Sequence, residues 1–225
     1  MDDDLAPVTQ DFAAAFGSGG RARCQLYLIS PPDVGGAFPD RLRAALEPGL
    51  ATAFQLRVKD AREHDVARLA EPLQRICADC DVAFIVNDSI ALAKRLGADG
   101  VHLGQGDGDV REARASLGPA SQIGKTCHDS RHLAMEAGEA GADYVAFGAF
   151  YPTMTKPTNH RPDPSILSWW STLFEIPCVA IGGIVPENAK PLVEAGADFL
   201  AVCQAVWSKD DPAAAVQAFS AMLAV

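Results

Sequence analysis

The stretch VAFIVNDSIALAKRLGADGVHLG, residues 82–104, has the pattern of a strand, a helix and a second strand in succession. Its first part, 82–88, is a short apolar run that ends in Asn-Asp, and its last part, 99–104, is another such run. Between them Ile90–Leu96 has helical character, and Gly97 stands where many helices end in a left-handed glycine. Short apolar runs on either side of a helix predict two neighbouring parallel strands.

The same alternation continues along the chain. The eight apolar runs are 24–30, 51–57, 82–88, 99–104, 121–125, 143–148, 177–183 and 198–203. The clearest helical segments between or after them are 63–80, 90–96, 129–140, 186–195 and 212–223. Eight strands that are each followed by a helix close a parallel barrel. We therefore predict the α/β class and a single (β/α)8 TIM barrel.

A repeated tripeptide favours the barrel over an open sheet. Gly-Ala-Asp occurs at 97–99, 141–143 and 196–198, each time before an apolar run and two βα units apart. That spacing fits a barrel whose inner layers come from alternate strands. A doubly wound sheet usually has GxGxxG after its first strand, whereas 29–32 reads Ile-Ser-Pro-Pro. The predicted domains are an N-terminal arm, residues 1–22, and a catalytic barrel, residues 23–225.

Composition limits the location and the partners of the chain. Of its 225 residues 48% are hydrophobic, yet no run approaches the ~18 apolar residues that span a bilayer. The first residues, MDDDLAPVTQ, are acidic, unlike a signal peptide. A net charge of −10 argues against a general nucleic-acid binder. We predict a cytoplasmic protein with small-molecule partners and no nucleic-acid or membrane partner. The sequence is compatible with a homodimer but does not set the oligomeric state.

Charged residues occur where the second predicted strand should be buried. Side chains alternate between two faces along a strand. The outward set is Thr52, Phe54, Leu56 and Val58, and the inward set is Ala51, Ala53, Gln55, Arg57 and Lys59. Polarity therefore rises toward the carboxyl end, where active sites of βα barrels lie. Arginine beside lysine suits an anion clamp. The alternative is that both cations extend into solvent after the strand ends.

Two carboxylates follow neighbouring strands and indicate a cation. Asp88 ends the third run, and Asp107 lies in the loop after the fourth. Mg²⁺ is typically held by one or two carboxylates, while phosphate oxygens and waters complete its shell. Asp88 has an alternative role as the N-cap of the next helix. Because Asp107 and the cationic strand are expected nearby, we favour a metal site.

Two later loops offer further contacts to an anion. Residues 151–157, YPTMTKP, supply two hydroxyls and a lysine, although a polar turn also has this composition. Gly182-Gly183 ends the seventh run just before a helix. Glycines let a phosphate approach backbone N–H groups, and the loops after strands seven and eight are the usual phosphate site of this fold.

Taken together, these motifs resemble the thiamine phosphate synthase family. The matching stretches are FQLRVKD (54–60), VNDS (86–89), DGVHLGQGD (99–107), YPTMTK (151–156), IGGI (181–184) and GADFLAV (196–202). The resemblance implies a transferase that condenses 4-amino-2-methyl-5-(hydroxymethyl)pyrimidine diphosphate with thiazole phosphate. The implied products are thiamine phosphate and pyrophosphate, and the implied cofactor is Mg²⁺.

The resemblance also implies roles for residues at matching positions. The implied contacts of the pyrimidine diphosphate are Gln55, Arg57, Lys59 and Asn87. The implied ligands of Mg²⁺ are Asp88 and Asp107. The expected catalytic set, which surrounds the pyrophosphate, is Arg57, Lys59, Thr126 and Lys156. The implied contacts of the thiazole substrate and its phosphate are Thr153, Thr155, Gly183, Cys203 and Gln204.

The predicted charges suit a dissociative loss of pyrophosphate assisted by Mg²⁺. An electron-rich aminopyrimidine stabilises a methylene cation, so the leaving group can depart before the thiazole nitrogen attacks. The protein then has to neutralise pyrophosphate and hold the nucleophile in line. A general base is not required, which agrees with a sequence that offers no obvious His–carboxylate pair.

Three segments depart from the family pattern. Residues 124–128, GKTCH, replace Gly-Val-Ser-x-His, residues 159–164 lack the usual glycine, and Cys203-Gln204 replaces an aliphatic residue followed by serine. One rival is a thiazole tautomerase, which would have a catalytic histidine where this chain has Ala149. The other rival is a non-catalytic phosphate-binding barrel with a regulatory role.

Overall fold

The structure is a computed structural model that describes residues 23–58, 62–153 and 159–223. The predicted arm, residues 1–22, lies outside the described residues, as do the site candidates Lys59, Thr155 and Lys156. The boundary predicted between an arm and a barrel domain therefore stays a prediction.

Within the described residues, eight strands form a closed barrel in sequence order. They are β1 (Gln25–Ile29), β2 (Ala51–Leu56), β3 (Ala83–Asn87), β4 (Gly100–Leu103), β5 (Gln122–His128), β6 (Tyr144–Gly148), β7 (Cys178–Ile181) and β8 (Phe199–Val202). Neighbouring strands run parallel, and β8 closes the barrel by pairing with β1. Seven of the predicted apolar runs each contain one of these strands, and β5 begins within the run 121–125 but continues to His128. The predicted (β/α)8 barrel is confirmed.

Helices surround the barrel. In the described ranges they are α1 (Phe38–Leu46), α2 (Glu63–Asp79), α3 (Ile90–Leu96), α4 (Val110–Leu117), α5 (Arg131–Glu139), α6 (Ser165–Leu173), α7 (Pro186–Glu194), α8 (Gln204–Trp207), α9 (Pro212–Gln217) and α10 (Ser220–Leu223). The five predicted helical segments are present, except that 212–223 is divided into two helices. No helix of the described part of the chain is both long and apolar enough to cross a membrane.

Apolar side chains form two layers. The outer layer lies between strands and helices and includes Phe54 and Leu56 of β2. The inner layer fills the barrel and consists of Tyr27, Ile29, Ile85, Tyr144, Ala146, Val179 and Ala201. Ala53 packs against the inner layer. From Ala53 onward β2 therefore alternates as predicted, with Gln55 directed into the barrel.

The first two residues of β2 depart from the predicted alternation. Ala51, expected to face inward, is buried in the outer layer. Thr52, expected to face outward, borders a cavity at the amino end of the barrel, where its Oγ1 donates to Gln25 Oε1 at 3.0 Å. The pairing of β1 with β2 shifts register between Leu26 and Tyr27. Such an irregularity exchanges the two faces of a strand.

The three Gly-Ala-Asp repeats lie at the amino end of the barrel, directly before β4, β6 and β8. Their glycines adopt positive φ angles of 59°, 93° and 96°, which only glycine adopts readily. We call their aspartates the rim aspartates: Asp99, Asp143 and Asp198.

Each rim aspartate binds the preceding strand in the same way. The carboxylates accept backbone N–H groups of Phe84 at 2.7 Å, Ile123 at 2.6 Å and Cys178 at 2.8 Å. The aspartate N–H groups donate back to the carbonyls of the same three residues, at 3.0, 2.8 and 3.0 Å. The repeat thus satisfies backbone groups at the ends of β3, β5 and β7 that would otherwise lack a ladder partner.

Candidate active site

A cavity of about 150 Å³, which we call the main cavity, opens at the carboxyl end of the barrel. Six predicted site residues line it: Gln55, Arg57, Asn87, Asp88, Thr126 and Thr153. Its lining also includes His102, His128 and Ala149, to which the sequence analysis gave no role in binding. Residues from distant parts of the chain meet here because parallel strands end at the same face.

A smaller cavity of about 80 Å³, the side cavity, lies beyond β7 and β8. Three residues predicted for the thiazole phosphate line it: Gly183, Cys203 and Gln204. Thr153 belongs to the linings of both cavities. The structure therefore brings the two predicted groups of substrate contacts into adjoining spaces.

Arg57 follows the last residue of β2. Its backbone N–H donates to Ser30 Oγ at 2.9 Å, and the Ser30 N–H donates to the Gln55 carbonyl at 2.9 Å. These bonds continue the contact between the first two strands beyond their ends. Burial raises the pKa of the Cys203 thiol to about 11, and the positive charge of Arg57 opposes that rise. The half-buried Arg57 thus lines the main cavity, and only its charge reaches Cys203 in the side cavity.

Asp88 follows β3 directly and has a φ of 68°. Its backbone N–H donates to the His102 carbonyl at 2.8 Å, which fixes the residue against the end of β4. The N-cap of α3 is Ser89, whose side chain accepts the N–H of Leu92 at 3.1 Å. The alternative role of Asp88 as that cap is therefore wrong.

Asp107 is exposed, and the described linings of the two cavities do not include it. Its Oδ2 accepts the backbone N–H of Gly104 at 3.0 Å, so the carboxylate stabilises its own loop. Lys125 holds the same loop from β5, because its Nζ donates to the carbonyls of Gly104 and Gly108, both at 2.9 Å. The extra lysine of the GKTCH segment thus supports the loop that contains Asp107.

The two predicted metal ligands, Asp88 and Asp107, are not part of a preformed cage of ligands in the described part of the chain. The described residues contain no cluster of three or more His, Cys, Asp or Glu side chains that could hold an ion. One carboxylate, from Asp88, lines the main cavity, and the second lies in the loop that begins at the cavity residue Gly104.

Five polar side chains, which we call the polar chain, cross the barrel beneath the main cavity. Gln55 Nε2 donates to the Tyr27 hydroxyl at 3.1 Å, and the Tyr27 and Tyr144 hydroxyls are 2.8 Å apart. His102 Nδ1 is 3.1 Å from the Tyr144 hydroxyl, and His102 Nε2 is 2.9 Å from Thr126 Oγ1. Both end residues of the polar chain line the main cavity.

Gly124 makes room for the polar chain. A Cβ built at this glycine would lie 2.0 Å from Cζ of Tyr144, far inside any real contact. Only glycine therefore lets the tyrosine ring cross the inside of the barrel to Tyr27 and His102. The ring also stacks on His102 with the centroids 5.6 Å apart.

Comparison with known proteins identifies the family. The family model described as thiamine monophosphate synthase matches residues 26–206, which include all eight strands. The chain belongs to this family.

Individual proteins that resemble the chain support the same family assignment. The chain is 67% identical to the thiamine-phosphate synthase of Erythrobacter litoralis over 89% of its own length and 95% of that protein. It is 54% identical to that of Rhodospirillum centenum, over 89% and 98%. The structure matches thiamine phosphate pyrophosphorylase from Pyrococcus furiosus with a TM-score of 0.79 and 31% identity, over 91% and 97%. The predicted family and the predicted class of enzyme, one of thiamine phosphate synthesis, are confirmed.

Gly182 and Gly183, part of the family motif IGGI, lie where the loop after β6 leaves no room for a side chain. Both have positive φ, 103° and 64°. A Cβ at Gly182 would lie 2.2 Å from Cβ of Ala149, and one at Gly183 would lie 2.3 Å from the carbonyl oxygen of Pro152. The glycines thus let the loop after β6 approach β7 closely, which brings Thr153 to both cavities.

The segment 159–164, where this chain departs from the family pattern, packs beside the main cavity. Arg161 Nη1 donates to the carbonyl of Ala149 at 3.3 Å. His160 Nδ1 is 2.7 Å from Asp129 Oδ1, and the His160 ring stacks on His128 with centroids 4.3 Å apart. These contacts tie the segment to two residues of the cavity lining, without the glycine of the usual pattern.

Proposed function

We propose that the chain joins the pyrimidine diphosphate and the thiazole phosphate across two adjoining cavities. The observation that carries the proposal is the position of Thr153, which lines both cavities between the two predicted groups of contacts. Two substrates that react with each other need two sites that share a boundary.

The proposed reaction is a substitution at the methylene carbon of the pyrimidine. The bond between this carbon and the pyrophosphate oxygen breaks, and pyrophosphate leaves with the electron pair. The thiazole nitrogen then donates its lone pair to the carbon, and the ring becomes a thiazolium. No proton is transferred, so the residues have to bind, orient and neutralise rather than act as acid or base.

The main cavity would bind the pyrimidine diphosphate. Gln55, 3% exposed, offers an amide to the ring, and Asn87 offers another at the end of β3. Arg57 offers a guanidinium, which binds phosphate oxygens in a bidentate manner, and Thr126 offers a hydroxyl. Lys59 and Lys156, both outside the described residues, would add charge to the leaving pyrophosphate.

Asp88 and Asp107 would hold Mg²⁺. Two carboxylates form a donor set that fits this ion when substrate phosphates complete the shell. Asp107 keeps one oxygen available while the other accepts the Gly104 N–H. When bound, Mg²⁺ supplies positive charge to the pyrophosphate.

The side cavity would bind the phosphate of the thiazole substrate. Gly183 has no side chain to obstruct an anion, and Cys203 and Gln204 lie at the start of the short helix α8. Thr153, with Thr155 from outside the described residues, would hold the thiazole ring between the cavities. This arrangement directs the thiazole nitrogen toward the main cavity.

The direct test is an assay of purified protein with both substrates and Mg²⁺. We expect thiamine phosphate and pyrophosphate in equal amounts, measured by chromatography and by a coupled pyrophosphate assay. Asp88→Asn protein purified in parallel controls for a contaminating enzyme. Failure to form product, together with activity in a thiazole tautomerase assay, would overturn the proposal. Tight binding of both substrates without turnover would favour a regulatory barrel.

A further inference from the structure

The polar chain, Gln55–Tyr27–Tyr144–His102–Thr126, does no chemistry in the proposed reaction, although it is a large buried polar feature of the barrel. Its members come from β2, β1, β6, β4 and β5 in turn. Gln55, Tyr27, Tyr144 and His102 are 3, 3, 7 and 7% exposed. Buried polar groups are retained in a core only when they are hydrogen-bonded, and all four are.

Each tyrosine hydroxyl in the polar chain has one proton to donate. Burial raises the pKa of Tyr27 to about 12 and raises the pKa of Tyr144 well above its ordinary value, so both keep their protons near neutral pH. Tyr27 accepts from Gln55 Nε2, and its own proton must therefore go to Tyr144. Tyr144 in turn donates to His102 Nδ1.

The direction set at Gln55 is transmitted to Thr126. With Nδ1 accepting, the proton of neutral His102 lies on Nε2 and is donated to Thr126 Oγ1. Thr126 then keeps its own hydroxyl proton for the main cavity. At the other end, Gln55 donates through Nε2 to the Tyr27 hydroxyl, so its carbonyl Oε1 is the group that can accept a hydrogen bond from a ligand in the main cavity.

A second direction exists in which every bond is reversed. The Gln55 amide turns over and accepts from Tyr27, and Thr126 donates to His102 and presents only lone pairs to the cavity. A mixture of the two directions leaves one buried donor or acceptor unpaired, which costs about 1–3 kcal/mol. The polar chain is therefore a two-state element whose ends change together.

We propose that the polar chain couples recognition of an amine at Gln55 to recognition of an anion at Thr126. The proposal rests on the proposed function, because the pyrimidine diphosphate has an exocyclic amine at one end and a pyrophosphate at the other. An amine that donates to Gln55 Oε1 selects the direction in which Thr126 donates to the anion. A ring with an acceptor in place of the amine selects the opposite direction and weakens anion binding. Tyr27, Tyr144 and His102 are thus positioning residues that make the site specific for this combination.

Coupling of this kind is reciprocal and measurable with two fragments. The probes are 4-amino-2-methyl-5-(hydroxymethyl)pyrimidine, which has the amine but no phosphate, and inorganic pyrophosphate with Mg²⁺. Isothermal titration calorimetry gives the dissociation constant of pyrophosphate with and without saturating aminopyrimidine. In the unaltered protein we expect the aminopyrimidine to tighten pyrophosphate binding by about fivefold or more, the lower range of typical coupling between sites.

Tyr144→Phe cuts the polar chain and keeps the ring that packs over Gly124 and His102. We expect both fragments still to bind, while the aminopyrimidine changes the pyrophosphate dissociation constant less than about twofold, well below coupled behaviour. Tyr27→Phe should remove the coupling to the same extent. The double variant should lose no more coupling than either single variant, because each substitution alone already interrupts the polar chain. If the substitutions acted through local packing instead, their losses of coupling would add in the double variant.

The controls separate this proposal from the proposed function. Direct contact between the fragments contributes equally in the unaltered and cut proteins, so the difference isolates the polar chain. If Tyr144→Phe protein is unfolded by circular dichroism, Tyr27→Phe serves as the cut. Full coupling in a cut protein overturns the proposal, and so does the absence of coupling in unaltered protein that still forms product. Coupling without product formation would instead overturn the proposed function alone.

Discussion

The two ends of the barrel use aspartate for opposite purposes. At the amino end, the rim aspartates accept backbone N–H groups from the preceding strands at 2.6–2.8 Å. At the carboxyl end, Asp88 lines the main cavity beside Arg57 and Asn87. The residue type is the same and each aspartate borders a strand, yet the rim aspartates bond to the backbone of the preceding strand, whereas Asp88 lines a cavity together with the predicted substrate contacts.

The difference shows how this fold separates stability from function. At the amino end, each rim carboxylate accepts a backbone N–H and so stabilises a strand end. Asp88 is positioned at the main cavity by the bond from its backbone N–H to the His102 carbonyl, and it belongs to the lining of that cavity. In parallel βα barrels, residues at the amino end of the strands mainly serve stability, whereas the active site lies at the carboxyl end.

Asp88→Asn should have the largest effect on activity and little effect on folding. Asparagine tolerates the positive φ of this position but removes the negative charge proposed to bind Mg²⁺. We expect kcat to fall roughly 100- to 1,000-fold, the scale seen when one group that stabilises developing charge is lost. High Mg²⁺ concentrations should restore part of the activity in steady-state assays.

The matched control for Asp88→Asn is Asp99→Asn, at the other end of the same βαβ unit. It removes the same charge but keeps an oxygen that accepts the Phe84 N–H. Its Mg²⁺ dependence should equal that of the unaltered protein. If both variants lose activity alike and neither responds to Mg²⁺, the assignment of the metal to the carboxyl end is wrong.

Arg57→Ala should have an intermediate effect, directed at one substrate. Hydrogen bonds to charged groups contribute about 1.5–3 kcal/mol, so binding of the pyrimidine diphosphate should weaken roughly 10- to 150-fold. Binding of the thiazole phosphate should change much less, because its proposed phosphate contacts are in the side cavity. Calorimetric titration of each substrate measures the two losses, and Arg57→Lys tests whether charge alone suffices. Equal losses for both substrates would contradict the proposed division.

Much of the fold and part of the site could be predicted because the signals are local. Short apolar runs and helical segments alternate along the chain, and each run became a strand. The period-two alternation of β2 predicted that Gln55 and Arg57 point inward, and both line the main cavity. The Gly-Ala-Asp repeat indicated the spacing of units, although its hydrogen bonds to the preceding strand were not anticipated.

Features that depend on pairing between distant strands could not be predicted. The faces of Ala51 and Thr52 depend on a register shift against β1, which nothing in β2 indicates. His102 and Tyr144 lie within predicted apolar runs, and their contacts across the barrel were not predicted. The polar chain joins five strands, so no single segment specifies it.

Asp99→Ala should have the smallest effect on activity and a clear effect on stability. The variant keeps the bond from its backbone N–H to the Phe84 carbonyl but leaves the Phe84 N–H without its carboxylate partner. An unpaired buried donor costs about 1–3 kcal/mol. For a chain of this size each kcal/mol lowers the Tm by about 2–4 °C, so thermal melts monitored by circular dichroism should show a fall of several degrees.

The decisive comparison is between Asp99→Ala and Asp99→Asn at a temperature where both are folded. Asparagine keeps an acceptor for Phe84, so most of the lost Tm should return with that variant. KM for both substrates should stay within about twofold of the unaltered protein in each variant, since surface changes away from a site rarely move binding further. Asp99 binds Phe84 near the start of β3, and Asp88 directly follows the end of that strand. A selective rise in KM for the pyrimidine diphosphate would therefore mean that β3 transmits strain from one end of the barrel to the other. The two ends would then not be independent.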